Sequence, residues 1–294
     1  MLSLPLAQRP IQLTLLTSKP CSLFFWLFPP QLYAKMSLHK LLLLALFTCL
    51  PAALAAPSPK RGYVADGCKG PDCQDVALLT GSSWYYAYNP ADPYAPNGSP
   101  SFVPMHWCLP LNVSIPATVN TSYLLGPNEP NNAHNCNTPP ATIAKAWSTV
   151  MANWSPPATT LVSPATAGDG RVWLDAFFAN CTALYGPKGC QIGAVAVHDY
   201  SCTASETMAY LQAIHERYAL PVWLTEFSCG DGAQNKPQAD HLAYMKEIIP
   251  LLEAAPYVQR YAWMSAHSNN RGLVQGTVGG QQTLTAVGEL YNAL

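Results

Sequence analysis

Short apolar runs bounded by turn residues recur along the chain, at residues 83–87, 102–107, 122–125, 159–163, 192–197, 221–224 and 258–264. Their length, their β-branched and aromatic content and the Pro, Gly, Asn and Ser residues around them predict strands. Between the later runs the apolar period changes. Residues 142–154, 171–185, 205–218 and 240–253 carry apolar side chains at helical spacing, as with Val172, Trp173, Ala176 and Phe177. Strands alternating with helices predict a parallel sheet, and near-continuous apolar strands imply burial on both faces. The fold class expected is α/β, a (β/α)8 TIM-type barrel braced by disulfides, with an open doubly wound sheet as the alternative. Seven strands are visible, one short of a closed barrel. The eighth is expected in 112–119, unless the barrel is irregular. Helical patterning is weak before Thr142.

The N-terminus carries a different pattern. Met36-Ser37-Leu38-His39-Lys40 is a short basic lead, and residues 41–50 form an apolar run too short to span a bilayer. Ala53-Leu54-Ala55 has the small residues of a cleavage site. Residues 36–55 therefore read as a secretory signal peptide cut after Ala55. A membrane anchor ranks well below, because Pro51 follows the apolar run directly. Residues 1–35 read as a non-structural upstream segment, with translation starting at Met36. Lys60-Arg61 offers a second processing point. The remainder divides into an N-terminal segment, 56–75, and the barrel domain, 76–294. Residues 283–294 lack the apolar tail of a lipid-anchor signal. A free secreted protein, extracellular or in a cell wall and without a membrane partner, is expected.

Composition narrows the partners. The charged residues of the first 55 are Arg9, Lys19, Lys35 and Lys40, so the processed chain carries 11 basic and 16 acidic side chains, a net of −5. It has no basic stripe, and no nucleic-acid partner is expected. Removing Cys21 and Cys49 leaves eight cysteines, an even count that favours disulfides in an exported chain. None lies in a paired CxxC array, so no metal site is expected. Cys68–Cys73 and Cys181–Cys190 read as local loops. Asn112, Asn120 and Asn180 each open a glycan-acceptor tripeptide. Gly-rich phosphate loops and nucleophile-elbow serines are missing. No cofactor is expected, and nothing demands more than a monomer.

Two apolar runs end on a carboxylate. Tyr123-Leu124-Leu125-Gly126-Pro127-Asn128 leads to Glu129, and Pro221-Val222-Trp223-Leu224-Thr225 leads to Glu226. Chemistry in a (β/α)8 barrel sits at the C-terminal ends of the strands. Two carboxylates facing one cleft are what glycosidic bond hydrolysis needs. Strand alternation sends Val222, Leu224 and Glu226 to one side and leaves Trp223 and Thr225 facing the helices. Asn128 is placed to contact a sugar hydroxyl, with a plain turn residue as its alternative. Tyr200 is placed to donate its hydroxyl to Glu226, and His198 lies on the same strand end, with a satisfied core histidine as the alternative for it and for His106. Sugar rings present apolar faces, so Trp84, Tyr86, His106, Trp107 and Trp263 are candidate substrate-binding residues. Trp147, Trp154 and Trp173 are assigned to packing. Cys202 follows Tyr200 and Cys229 follows Glu226, so a Cys202–Cys229 bond would brace that rim.

Asn128-Glu129-Pro130 and Leu224-Thr225-Glu226-Phe227 resemble the strand-end motifs of glycoside hydrolase family 128. That family consists mainly of fungal endo-β-1,3-glucanases with an alkali-sensitive-linkage-type catalytic domain. Val103-Pro104-Met105 followed by Trp107, Leu161-Val162-Ser163-Pro164-Ala165, and His198 with Tyr200 extend the resemblance, as does Trp223 through Cys229. It runs from about Trp84 to Trp263. The resemblance implies a retaining glycosidase acting on β-1,3-glucan, with Glu129 as acid/base and Glu226 as nucleophile. Two positions depart from the family pattern: Pro127 stands where an aromatic is usual, and Asp199 stands in a His-Trp-Tyr context. An acidic Asp199 beside Glu226 would raise the cost of ionising both, unless it points away from the site. Two other readings stay open: a weak or inactive glucan-binding wall protein on the same fold, and a secreted interaction protein unrelated to glycans.

Overall fold

The apolar runs fold as strands β2 (Ser82–Tyr86), β3 (Ser101–Phe102), β4 (Tyr123–Leu125), β5 (Thr160–Val162), β6 (Ile192–Asp199), β7 (Val222–Phe227) and β8 (Val258–Trp263). Ahead of them lies β1 (Ser58–Val64). The structure, a computed structural model, describes residues 56–94, 100–112, 114–116, 119–154 and 158–294. The upstream segment and the signal peptide expected in 1–55 lie outside the described residues.

All eight strands run parallel, in the order β3-β2-β1-β8-β7-β6-β5-β4. The two edges meet through a parallel bridge between Met105 and Leu125, with the His106 amide donating to the Leu125 carbonyl at 3.0 Å. The result is a (β/α)8 TIM-like barrel. Helices α2 (Pro140–Asn153), α3 (Arg171–Tyr185), α4 (Ala204–Tyr218), α5 (Gln238–Ala254) and α6 (Ala286–Ala293) cover the outside. Before them, the one described helix is the four-residue α1 (Asp75–Leu78), which fits the weak helical pattern there. A hairpin, β9 (Val274–Gly276) with β10 (Gln282–Leu284), lies between β8 and α6.

The eighth strand is thus β1, and the described residues of 112–119 hold no strand. Its sequence, SPKRGYV, explains why pattern missed it: Pro, Lys and Gly are poor strand formers, and the apolar part is only two residues long. Each misfit residue has a tertiary partner. Lys60 Nζ donates to the carbonyls of Leu252, Glu253 and Ala255 at 3.1, 2.8 and 2.8 Å, which caps the C-terminal end of α5. Arg61 is buried and donates to the Tyr261 hydroxyl and the Tyr291 carbonyl, with Glu253 3.6 Å away. A Cβ on Gly62 would fall 2.4 Å from the Trp84 ring. The dibasic pair is therefore built into the barrel.

Three packed regions follow from the alternation. Trp84, Tyr86, Met105 and Trp223 fill the barrel interior with small partners such as Ala194, Ala196 and Ala262. Val195, Val222, Leu224, Phe227 and Trp263 face outward onto α4, α5 and α6, while Leu124 and Leu161 pack on α2 and α3. Trp223 points into the barrel and Val222 and Leu224 point out, the reverse of the expected phase. Disulfides join Cys68 to Cys73, Cys108 to Cys136, Cys181 to Cys190 and Cys202 to Cys229, including all three pairings expected from sequence.

Breaking the β1 anchor is expected to cost stability without touching the cleft. Arg61→Ala strands Glu253 and the Tyr291 carbonyl, and should lower unfolding free energy by about 3 kcal/mol in urea titrations. A change below about 0.5 kcal/mol would show that β1 is not held by this residue.

Candidate active site

Glu226 reaches the cleft because β7 breaks its own alternation. Val197 pairs with Leu224, but His198 pairs with Glu226, so Thr225 is an extra residue between them. Such a bulge shifts the side-chain phase by one. Leu224 stays outward, Glu226 turns inward, and Phe227 is outward again. The carboxylate that emerges is ringed by hydroxyls. Tyr88 and Tyr86 donate to Oε1 at 2.8 and 3.2 Å, and Tyr200 donates to Oε2 at 2.5 Å. Burial, with Glu226 beside them, pushes all three phenols well above their ordinary range. They therefore remain donors.

Glu129 arrives by a different route. After β4 the chain keeps ladder contacts: the Ala165 amide donates to the Pro127 carbonyl at 2.9 Å, and the Glu129 amide donates to the Ala165 carbonyl at 2.7 Å. The Asn128 amide donates to the Trp107 carbonyl at 2.8 Å. Glu129 itself has φ 43°, in the left-handed region that side chains other than glycine rarely occupy. That backbone twist turns its carboxyl off the strand direction. Its Oε2 accepts from Asn132 Nδ2 at 2.7 Å and from Asn135 Nδ2 at 2.5 Å.

His198 joins the two glutamates. Its Nδ1 lies 2.8 Å from Glu129 Oε1 and 3.4 Å from Glu226 Oε2, with the ring fully buried. One atom from each of the three residues lies within 4.8 Å of the other two. Such a set could meet a divalent cation, yet all four carboxylate oxygens already face side-chain donors. Burial works against ionising Glu129, but the bond from His198 and the two amides outweighs it and holds the carboxyl below its ordinary range. For His198, burial opposes the charged form, while Glu226 and the Glu129 bond raise its pKa.

Residues 64–291 match the model described as the glycosyl hydrolase catalytic core. The chain belongs to that family. The barrel is of the glycoside hydrolase family 128 type. A subgroup I endo-β-1,3-glucanase from Amycolatopsis mediterranei, solved with laminarihexaose, is 26% identical at TM-score 0.67, over 80% of this chain and 99% of that one. A subgroup II endo-β-1,3-glucanase from Pseudomonas viridiflava is 29% identical at TM-score 0.68, over 81% and 98%. A subgroup III curdlan-specific exo-β-1,3-glucanase from Blastomyces gilchristii, solved with glucose, is 26% identical at TM-score 0.65, over 81% and 100%. Alkali-sensitive linkage protein 1 of Schizosaccharomyces pombe is 31% identical over 140 residues, 45% of this chain. The match spans about a quarter (24%) of that curated relative.

Within this glycosyl hydrolase core, the expected site residues divide. Glu129, Glu226, His198 and Tyr200 come together. Asn128 lies beside Glu129, buried, with its Oδ1 unpartnered among the described residues. His106 is buried after β3 with an unpartnered Nδ1, and burial lowers its pKa. Trp107 is at the rim and 40% exposed, so it can offer a face to a ring. Trp84 and Trp263 are not at the cleft. Trp84 is sealed in the barrel interior, donating to the Lys60 carbonyl at 2.9 Å. Trp263 faces outward, edge-on to Phe227 and bonded to the Arg271 carbonyl at 2.8 Å. Tyr86 has a buried ring, and its hydroxyl is what reaches the site. Asp199 points away from Glu226, because alternation on β6 turns it to Ser201 and Thr207, which donate to its Oδ2 at 2.8 and 2.5 Å.

Sequence reasoning missed Tyr88, Asn132, Asn135 and Arg271. Tyr88 lies two residues beyond Tyr86, so strand alternation could have found it. The asparagines lie in a loop without period. Arg271, buried beneath the Tyr200 ring at 5.6 Å and bonded to the Ser228 hydroxyl and the Gly230 carbonyl, comes from beyond β8.

The pair links stability to pH. Glu129, with its pKa depressed, stabilises the fold above the ordinary carboxylate value and loses this as pH falls through its folded pKa. His198, with its pKa raised, stabilises below the ordinary imidazole value and loses this as pH rises through its folded pKa. Both contributions are complete between about pH 4.3 and 6.5. The melting-temperature gap between the native chain and His198→Gln should be widest there and narrow toward alkaline pH. A gap constant from pH 4 to 9 would reject the linkage.

Proposed function

We propose that this glycosyl hydrolase cleaves β-1,3-glucan by double displacement, with Glu226 as nucleophile and Glu129 as acid/base. The observation that carries the reading is the approach of the two carboxylates to one imidazole nitrogen, with the three chosen atoms within 4.8 Å. Retaining enzymes place their carboxyl groups about 5–5.5 Å apart, whereas inverting ones leave room for a water at about 6.5–9.5 Å. The substrate class rests on the family 128 neighbours, whose structures hold laminari-oligosaccharides or glucose.

In the first step a Glu226 oxygen attacks the anomeric carbon. The glycosidic bond breaks, and its oxygen takes a proton from Glu129. The leaving chain departs, and the sugar stays as an ester on Glu226. In the second step Glu129, now a carboxylate, takes a proton from water, and the hydroxide formed displaces Glu226. Tyr86, Tyr88 and Tyr200 hold Glu226 in one orientation before attack. Asn128 supplies a buried amide at the sugar 2-hydroxyl, and Trp107 supplies a face at the rim. Export is part of the same proposal. Four disulfides favour an oxidising compartment, as does the leader read in residues 36–55.

The test uses linear β-1,3-gluco-oligosaccharides with products followed by proton NMR. The first-formed anomer should be β. Glu226→Gln should lose turnover while still binding, and Glu129→Ala should lose about 10²–10⁴-fold on a poor leaving group. An α product sinks the retaining mechanism. Binding without turnover by the native chain would favour a glucan-binding protein on the same fold.

A further inference from the structure

Glu129 presents a conflict for the role proposed above. An acid must carry a proton when the leaving oxygen departs. Yet three donors surround this carboxyl, and a protonated Oε2 facing two N–H donors has nowhere to aim its hydrogen. The two asparagines differ in a way that resolves this. Asn132 is locked, because its Oδ1 accepts the His134 amide at 3.0 Å, so its Nδ2 can only donate to Glu129. Asn135 has no second side-chain bond among the described residues. The two ends of an amide exchange by a half-turn with no change of shape.

We propose that Asn135 is a positioning residue that turns with the proton of Glu129, while Asn132 stays fixed; this rests on Glu129 being the acid/base. When Glu129 takes up the proton it must deliver, Oε2 carries it and donates it to Asn135 Oδ1. Oε2 still accepts from Asn132, and Oε1 still accepts from His198 Nδ1. When the proton leaves for the glycosidic oxygen, the Asn135 amide turns and Nδ2 donates to the new carboxylate. Each protonation state then has a complete hydrogen-bond set. The loop that carries Asn135 is held on both sides. Cys136, the next residue, is bonded to Cys108 beside Trp107. Asn131 exchanges two hydrogen bonds with the Ala167 backbone, at 2.8 and 3.0 Å. The titratable groups facing Glu129 from other elements are His198 on β6, Glu226 on β7 and Tyr88 beyond β2.

The test is the pH profile of kcat/KM on a laminari-oligosaccharide. Asn135→Ala removes a donor from the carboxylate and an acceptor from the acid. Asn135→Asp keeps the acceptor, forbids the donor and adds a negative charge. The Asp variant should move the alkaline limb up by about one pH unit and lower kcat roughly tenfold with KM within about twofold. Asn135→Ala should lower kcat similarly with little shift of the limb. Asn132→Asp should disturb the loop, because it loses the donor that cannot turn, and should lower melting temperature more than Asn135→Asp does. Equal shifts for both Asp variants, or an unmoved limb in Asn135→Asp, overturn the proposal. Glu129→Ala separates this from failure of the underlying reading. If that variant keeps native kcat/KM on the same substrate, Glu129 is not the acid/base. If it loses activity and azide restores turnover of an aryl glycoside, Glu129 is the acid/base, and the Asn135 result judges the inference alone.

Discussion

Two carboxylates buried beside one imidazole nitrogen are the constraint on which the rest of this barrel depends. Neither glutamate is more than a few per cent exposed, and an isolated buried charge is costly enough to neutralise itself. The chain answers with donors rather than cations. Three phenols face Glu226, two amides face Glu129, and His198 lies between them. No Arg or Lys forms an ion pair with either glutamate among the described residues. A fixed cation would stabilise both carboxylates permanently. Apart from His198, the side chains that donate to the two carboxylates are neutral phenols and amides.

Supplying those donors explains several local irregularities. Tyr86 closes β2 and Tyr88 follows it, while Tyr200 directly follows β6. Glu226 needs an extra residue at Thr225 to change phase, and Glu129 needs a left-handed backbone. Bulges and unusual backbone at a barrel rim are a common way to re-aim a side chain. The rim is then fastened across its gaps: Cys202–Cys229 ties the β6 end to the β7 end, and Cys108–Cys136 ties the β3 end to the loop after Glu129.

Much of this was legible in sequence, and the illegible parts share a cause. The seven visible strands and four long helices were read because each buries a whole apolar face, which leaves a period. Both glutamates were read because a lone carboxylate after an apolar run has no packing explanation. β1 was hidden because its stability comes from Lys60 and Arg61 reaching α5, β8 and α6, contacts roughly 190 to 230 residues away in sequence. The phase of β7 was misread because a bulge leaves no mark in a pattern of period two. Trp84 and Trp263 were misplaced for the same reason that aromatics are ambiguous in general: a large ring suits a core and a sugar equally well. Asn132 and Asn135 belong to a loop, where composition shows polarity but not direction.

The asymmetry between the two glutamates is the last consequence. Glu226 sits on a strand and is held by phenols whose own protons are driven far out of the working range. Each of these phenols keeps its proton and gives a hydrogen bond to the Glu226 carboxylate. Glu129 sits on a loop and is held by amides and an imidazole, groups that carry both donor and acceptor atoms. The double displacement proposed above asks one carboxyl to attack as nucleophile and the other to give and take back a proton. The neighbours, Tyr around Glu226 and Asn with His around Glu129, thus distinguish two glutamates that burial does not, because both are buried alike.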